Sequence, residues 1–474
     1  MKKNDRGANA AFGAALFFVA LLPRLYVALR WAGEPVWDGH YYDFGARRIA
    51  AGFGYSDERV VDGLVEWHPW CHYPVGYSAF LGAFYKLFGP ELRVAAVVDA
   101  TVGALLAVAT WLLARYALSP ARARVAGALV ALHPGLILYS ALVMTEPLSA
   151  LSTMLGFWVA VRGTKRVYFV LGALLLGVSA LIRPQALLCA PLLALAPGAP
   201  VFPRWKHARR LPAVALACAL ALAPVLPWTA RNCRVMDGCA LVSTNAGWNL
   251  AIGAFPRATG RFETLKSSDG CREVTGQVQQ DRCWFSYGVE QIREHPGHWL
   301  ALVPKKLGYT FDHESFAVGY LHEARPADWP EERSADARAL TTLVHRLLLC
   351  AAALGCVAFA TKGRRGAVQG ALAAVLALLW IYAFSADAPT FWPIAVFASF
   401  VPWLPLPGKP PLTPALAMAL ALLATTVLTH AIFFREDRYH MVTAPVLCIL
   451  AAGALRPTKR NDDAAADRAS SSRA

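Results

Sequence analysis

Apolar runs of membrane length recur along this chain of 474 residues, and no other feature narrows its choice of fold so far. A run of about 20 residues crosses the ~30 Å hydrocarbon layer as a helix. Inside that layer each backbone amide must find its partner within the protein, which leaves helices and closed barrels. Runs lie at about 11–31, 93–114, 122–142, 146–162, 167–181, 185–198 and from Leu211 onward. After a long hydrophilic stretch, others follow at about 340–360, 367–385, 389–405, 412–434 and 441–455. Composition agrees, with 57% hydrophobic residues, 16% charged residues and a mean hydropathy of +0.40. The expected fold is an all-α polytopic membrane protein of roughly 11–13 spans. Arg30-Trp31-Ala32-Gly33-Glu34, after the first run, is not a small-residue cleavage site, so that run reads as an uncleaved anchor.

The formal net charge of +15 could suggest nucleic acid, but its distribution argues for topology instead. Lys2, Lys3 and Arg6 precede the first run. Later clusters are Arg115/Arg122/Arg124, Arg162/Lys165/Arg166, Arg204/Lys206/Arg209/Arg210, Lys362/Arg364/Arg365 and Arg456/Lys459/Arg460. These short, acid-poor loops alternate with loops of mixed charge, as the positive-inside rule requires. Both termini are therefore expected in the cytoplasm of a cell-membrane protein, and no nucleic-acid partner is expected. Of ten cysteines, Cys189, Cys218, Cys350, Cys356 and Cys448 fall in apolar runs, where a small buried thiol suffices. Cys233 with Cys239, and Cys271 with Cys283, are either disulfides in an oxidising compartment or free thiols.

Residues 1–455 form the membrane domain and 456–474 a polar, disordered cytoplasmic tail. Within the domain, residues 32–73 make a first outer loop and 229–339 an ordered outer module, because a hundred structureless residues are rare. In the first loop, Ala46 to Gly52 is expected as a short helix, and Tyr73 to Gly89 as a re-entrant or interfacial helix. Trp284 to His295 and Trp299 to Thr310 read as helices of the module, the second suited to headgroups through Trp299, Lys305 and Lys306.

The chemistry-bearing residues gather at the outer turns. Asp38, His68, His72, Glu146, Arg183, Arg231, Arg438 and Tyr439 all fall there, where ionisable groups are costly. Channel rings carry one sign of charge, whereas a carboxylate among cations suits an acid or base beside an anion site. Asp38 is the candidate general base; the plainer alternative is a solvated loop aspartate. Asp43 either assists it or caps the short helix, and Glu146 is either catalytic or a helix-starting acid. His68 and His72 are i, i+4, but Pro69 breaks that register, so no metal pair is expected and His72 is left for phosphate contact or packing. Arg183 lies deep in a Pro-broken hairpin, and Arg438-Tyr439 reads as a phosphate clamp or an interfacial anchor.

The ordered set of motifs resembles the lipid-phosphate-dependent membrane glycosyltransferases of the GT-C fold, among them protein O-mannosyltransferases and the aminoarabinose transferase of lipid A. The pieces are Arg24, Asp38 with its following aromatics, Pro74-Val75-Gly76-Tyr77, Tyr85-Lys86-Leu87-Phe88-Gly89, Thr145-Glu146-Pro147-Leu148, and Arg183-Pro184-Gln185. Pro227-Trp228-Thr229-Ala230-Arg231-Asn232, Ser243-Thr244-Asn245 and Arg438-Tyr439-His440 continue the series. The resemblance implies inverting transfer of a sugar from a polyprenyl-phosphate donor to a hydroxyl of a lipid, glycan or protein at the extracytoplasmic face. It implies Asp38 and Glu146 as catalytic, and Arg183, Arg438, Tyr439, His72 and Lys305 at the donor phosphate. Asp43, Tyr77 and Arg231 would serve the acceptor loop. A divalent metal is the single cofactor candidate, with no metal ligands assigned. Two departures stand out: Gly39 follows Asp38 where relatives often have an acid, and Cys71-His72-Tyr73 precede Pro74 where many have Arg or Lys. A lipid or saccharide transporter would show repeated halves, and no internal repeat is present; a glycan polymerase or ligase would share the outward-facing loops.

Overall fold

The computed structural model describes residues 3–200, 210–357, 364–386, 392–404 and 412–454. The basic residues Arg204, Lys206, Arg209, Lys362, Arg456, Lys459 and Arg460 and the tail 456–474 lie outside the described residues.

Helix α1 (Lys3–Trp31) carries the apolar run and leads by an extended connection to α2 (Asp38–Ala50). This corrects the expectation that Asp38 stands in an open loop and that a helix begins only near Ala46. Gly39 and Gly45 weaken the intrinsic helical signal of the segment, but both are packing contacts. A Cβ at Gly39 would collide with the Tyr320 hydroxyl, and one at Gly45 would lie 2.6 Å from the Tyr55 ring. Strands β1 (Ser56–Val61) and β2 (Leu64–Pro69) then pair antiparallel. The sequence reading did not anticipate this hairpin. Asp62 and Gly63 supply its two-residue turn, both at positive φ (51° and 80°), which is the conformation an Asp-Gly turn favours.

Helix α3 (Gly76–Phe88) is the short Pro/Gly-bounded helix expected there, and α4 (Leu92–Ala114) is a full-length apolar helix. Helices α5 (Pro120–Ala131) and α6 (Pro134–Leu138) belong to one apolar run bent by 51°. Pro134 breaks it, and the buried Arg24 answers the carbonyls left over. Its guanidinium donates to Ala20 O, Ala131 O and Val130 O at 2.7–2.8 Å. Freed backbone groups at membrane depth need such partners. Helices α7 (Glu146–Val161) and α8 (Arg166–Ile182) pair as a hairpin, and Pro184–Leu195 winds as a 3₁₀ helix. Helices α9 (Leu211–Leu222) and α10 (Leu226–Val235) form a second bent pair.

The segment 229–339, expected as an outer module, contains α11 (Ala246–Ala254), α12 (Gln277–Glu294), α13 (Pro296–Phe311) and α14 (Phe316–Ala324). Both candidate cysteine pairs, Cys233–Cys239 and Cys271–Cys283, are bonded. Trp284 and Phe255 centre its small core. Arg231 ties it to the first loop by donating to Tyr55 O (2.7 Å) and Trp70 O (3.0 Å). The chain closes with α15 (Glu331–Val357), α16 (Arg364–Ser385), α17 (Trp392–Ala398), α18 (Pro414–Ile432), a 3₁₀ turn Asp437–Thr443 and α19 (Ala444–Gly453).

Among the described residues, four helices are long and apolar enough to cross a membrane alone, or six if each bent pair counts as one. Five shorter apolar helices accompany them. The sequence reading counted each apolar run as a span; the structure shows that several are cut by proline into pieces too short, at 1.5 Å per residue, to cross unaided. In the core, α1, α4, α5, α7, α15 and α19 meet through small buried residues such as Ala104, Ala107, Ala123 and Ala126, which let backbones approach closely.

Candidate active site

Asp38 is the first residue of α2, and the turn that presents it is strained. Trp37 has φ 52°, a conformation uncommon for a bulky residue. Its indole is held against Phe316 (5.4 Å) and Tyr320 (5.8 Å), so packing from α14 maintains it. Gly39 then passes so close to Tyr320 and Val143 that no side chain fits. A glycine after Asp38 is thus a steric requirement of this packing.

The Asp38 carboxylate accepts from Tyr73 Oη at 2.8 Å and from Arg438 Nη1 at 2.7 Å. Burial alone would raise its pKa, but the Arg438 charge and these two hydrogen bonds outweigh it and hold the carboxyl below its ordinary value. Asp38 is therefore ionised at neutral pH. Arg438 is also paired with Glu436, Nε to Oε2 at 2.6 Å. Burial raises the Glu436 carboxyl above its ordinary value, against the opposing pull of Arg438.

Three guanidiniums surround the Tyr439 ring: Arg438 at 4.9 Å, Arg183 at 5.5 Å and Arg435 at 6.0 Å from its centroid. The ring face stabilises cations that would otherwise repel, and His430 stacks on it at 4.5 Å. Arg183 is oriented by Thr145 Oγ1 (2.9 Å) and by an ion pair with Glu146. Glu146 is completely buried at the start of α7 and does not line the cavity, so its contact is with Arg183. Arg435 differs from its neighbours. It is 1% exposed, and none of its three side-chain nitrogens has a hydrogen-bond partner among the described residues. A buried cation in that state is costly until an anion reaches it.

Asp38, Tyr73, Thr145, Arg183, Arg435, Glu436, Arg438 and Tyr439 border one cavity of about 1100 Å³, walled by the first loop, the segment at Arg183, residues 241–262 and the 435–439 turn; Glu146 and His430 stand behind its wall. His72 lines it, with burial holding its imidazole below the ordinary value and Asp38 opposing. The other candidates lie elsewhere. Asp43 accepts from Tyr85 Oη and Arg47 Nε, both at 2.5 Å, within the α2–α3 contact. Tyr77 is buried and donates to Asp99 at 2.8 Å. Arg231 serves as the staple described above. Lys305 is exposed and off the cavity wall, whereas its neighbour Lys306 is buried, donates to Ile432 O at 2.9 Å and is pushed down to about 7 by burial and then by Arg435. One residue along a helix is a 100° rotation, and the sequence did not say which lysine turned inward. Arg435, Glu436 and Tyr73 were not singled out for the site, although the run Arg435-Glu436-Asp437-Arg438 was visible before the last apolar stretch.

Residues 72–228 match the family model described as dolichyl-phosphate-mannose-protein mannosyltransferase. Over that segment the chain is mannosyltransferase-like. The segment contains the Pro74–Tyr77, Glu146 and Arg183 motifs, so the resemblance drawn from the motifs to GT-C glycosyltransferases stands. No curated protein matches the sequence. Among solved structures, the oligosaccharyltransferase of Archaeoglobus fulgidus tethered to an acceptor peptide aligns over 93% of this chain at 15% identity, with a TM-score of 0.44. The chain spans 49% of that protein's length. The ArnT of Cupriavidus metallidurans, solved bound to undecaprenyl phosphate, aligns over 96% of this chain and 78% of its own at 14% identity and a TM-score of 0.34.

Proposed function

We propose that this multi-pass membrane protein is a glycosyltransferase that moves a sugar from a polyprenyl-phosphate donor to an acceptor hydroxyl at the extracytoplasmic face, with inversion. The observation that carries the reading is the Asp38 carboxylate sharing one cavity with Arg183, Arg435 and Arg438, the guanidinium of Arg435 having no hydrogen-bond partner among the described residues. The family match over residues 72–228 and the undecaprenyl phosphate named with the ArnT structure support a lipid phosphate as the anion. The two disulfides of the outer module support an oxidising, extracytoplasmic side.

In the resting site Arg438 is committed to Asp38. A donor phosphate entering between Arg183, Arg435 and Arg438 would share that guanidinium, which relaxes its hold on the carboxylate and raises its basicity. Asp38 then accepts the proton of the acceptor hydroxyl as its oxygen attacks the anomeric carbon, and the C–O bond to the phosphate breaks on the opposite face. The arginines stabilise the charge that builds on the departing phosphate, which is where electrostatic catalysis acts. Glu146 keeps Arg183 in place and Tyr439 spaces the three cations. The test is transfer in lipid nanodiscs from defined polyprenyl-phosphate sugars. An Asp38→Asn variant that inserts normally and retains wild-type turnover would rule out this role for Asp38.

A further inference from the structure

Behind the arginine wall, on the side of the 3₁₀ turn away from the cavity, a second ionisable cluster is sealed in the core. Glu314, in the connection between α13 and α14, is 4% exposed, and His345 of α15 and His440 are 1% and 0% exposed. One ligand atom from each lies within 4.8 Å of the other two. The Glu314 Oε2 atom is 3.4 Å from His440 Nε2 and 3.9 Å from His345 Nδ1.

The proton arrangement makes this cluster more than a buried hydrogen-bond network. His440 Nδ1 is 2.8 Å from Thr310 O, and His345 Nε2 is 3.0 Å from Phe311 O. A carbonyl only accepts, so each of those nitrogens carries the ring proton. Thr310 and Phe311 end α13, where carbonyls have no intrahelical partner to offer instead. In the neutral rings the opposite nitrogens, His440 Nε2 and His345 Nδ1, are lone pairs beside the Glu314 carboxyl, and His440 Nε2 is close enough to hydrogen-bond Glu314 Oε2 if it is protonated instead. Glu314 Oε1 and His345 Nδ1 have no hydrogen-bond partner among the described residues. Three potential ligand atoms thus gather within 4.8 Å, and imidazoles oriented by carbonyls on their far nitrogens are how proteins prepare metal ligands.

We infer that Glu314, His345 and His440 form a binding site for a divalent transition metal ion of the zinc class, distinct from the cavity at Asp38. Tetrahedral coordination at the usual bond lengths sets ligand atoms about 3.4 Å apart; Glu314 and His440 are at that spacing and Glu314 and His345 are 3.9 Å apart, so His345 would move inward on binding. His133, whose Nδ1 accepts from Leu136 N, carries its proton on Nε2, 3.9 Å from Glu314 Oε2, and so stands beside the carboxylate as a neighbour and not a ligand. Gly135 leaves room for Glu314, since any Cβ there would overlap its carboxyl. The ion would clasp α13, α14, α15 and the 435–443 turn, and so fix Arg438 two residues from His440. Its role is positional, and it does not rest on the sugar-transfer reading.

The test uses the full chain in nanodiscs, purified without a polyhistidine tag and analysed for metals. About one zinc per chain is expected. After chelation, Co(II) should bind at one equivalent with the visible ligand-field absorption of a nitrogen-ligated site, and zinc should displace it. His345→Ala and Glu314→Gln should abolish that spectrum, whereas His133→Gln should weaken affinity roughly 10–100-fold, as loss of an outer partner does. Wild-type protein that takes up neither metal overturns the inference and leaves a proton-paired cluster. A cobalt spectrum unchanged in Glu314→Gln overturns it equally, because the ion would then lie elsewhere.

Discussion

The 3₁₀ turn Asp437–Thr443 faces two polar regions that treat charge in opposite ways. On the cavity side, Arg438 and Tyr439 meet Asp38, Arg183 and Arg435 around a volume large enough for a ligand. On the other side, His440 joins Glu314 and His345 in a cluster buried from solvent. The cavity has an excess of cations and waits for an anion; the buried cluster has an excess of lone pairs and suits a cation. A single turn of seven residues thus couples a site built for exchange to one built for permanence. Desolvation explains the difference, since charges beside a cavity can trade partners at modest cost and sealed ones cannot.

Substitutions can break that contrast, and the largest effect is expected at Asp38. Asp38→Asn keeps the shape but not the basicity, so transfer should fall by about 10²–10⁴-fold with membrane insertion intact. Arg435→Gln should weaken donor binding about 10–100-fold, measured as KM, because a hydrogen bond to a charged group is worth roughly 1.5–3 kcal/mol. The same variant should leave the ligand-free protein as stable or more stable by thermal unfolding, since it removes a buried cation with no partner. A drop in stability would mean that Arg435 already has an anion.

A third expectation concerns pH. The folded-state pKa of Asp38 is depressed, so its pairing with Arg438 is complete above the ordinary value of about 3.9 and is lost as pH falls through the lower folded value. In Arg438→Gln, burial is no longer opposed by that charge. The acid limb of the residual activity should then move to higher pH, and an unmoved limb would show that Asp38 does not set it. Replacing Cys271 and Cys283 by serine should cost about 2–3 kcal/mol in the outer module, read by proteolysis of the loop, with a smaller effect on turnover. Lys305→Ala is expected to change the donor KM less than about twofold, because an exposed lysine off the cavity contributes little.

Much of this protein is readable from local pattern. The apolar runs locate α4 and α18 to within a few residues and the end of α1 at Trp31, although α1 begins eight residues before its run, and the proline-bounded Tyr73–Gly89 segment emerges as α3. The β-hairpin was equally legible in principle through Asp62-Gly63, but its strands are polar and too short to stand out beside membrane helices. Asp38 could be picked out as a lone carboxylate after the first span, though not as the opening residue of a helix, because two glycines hide α2 until Tyr320 and Tyr55 are packed against them.

What the sequence determined by itself is which stretches are helical, which are apolar enough for a bilayer, and which outer turns carry charge. These follow from helical period and hydrocarbon thickness, both of which act over some twenty residues. Only the tertiary structure decided that Arg438 meets Asp38, 400 residues away along the chain, and that the Arg435 guanidinium has no hydrogen-bond partner among the described residues. It alone turned Lys306 inward and Lys305 outward, and set His440 beside Glu314 and His345. Those contacts depend on which helix faces pack together, and no periodicity within a single segment carries that information.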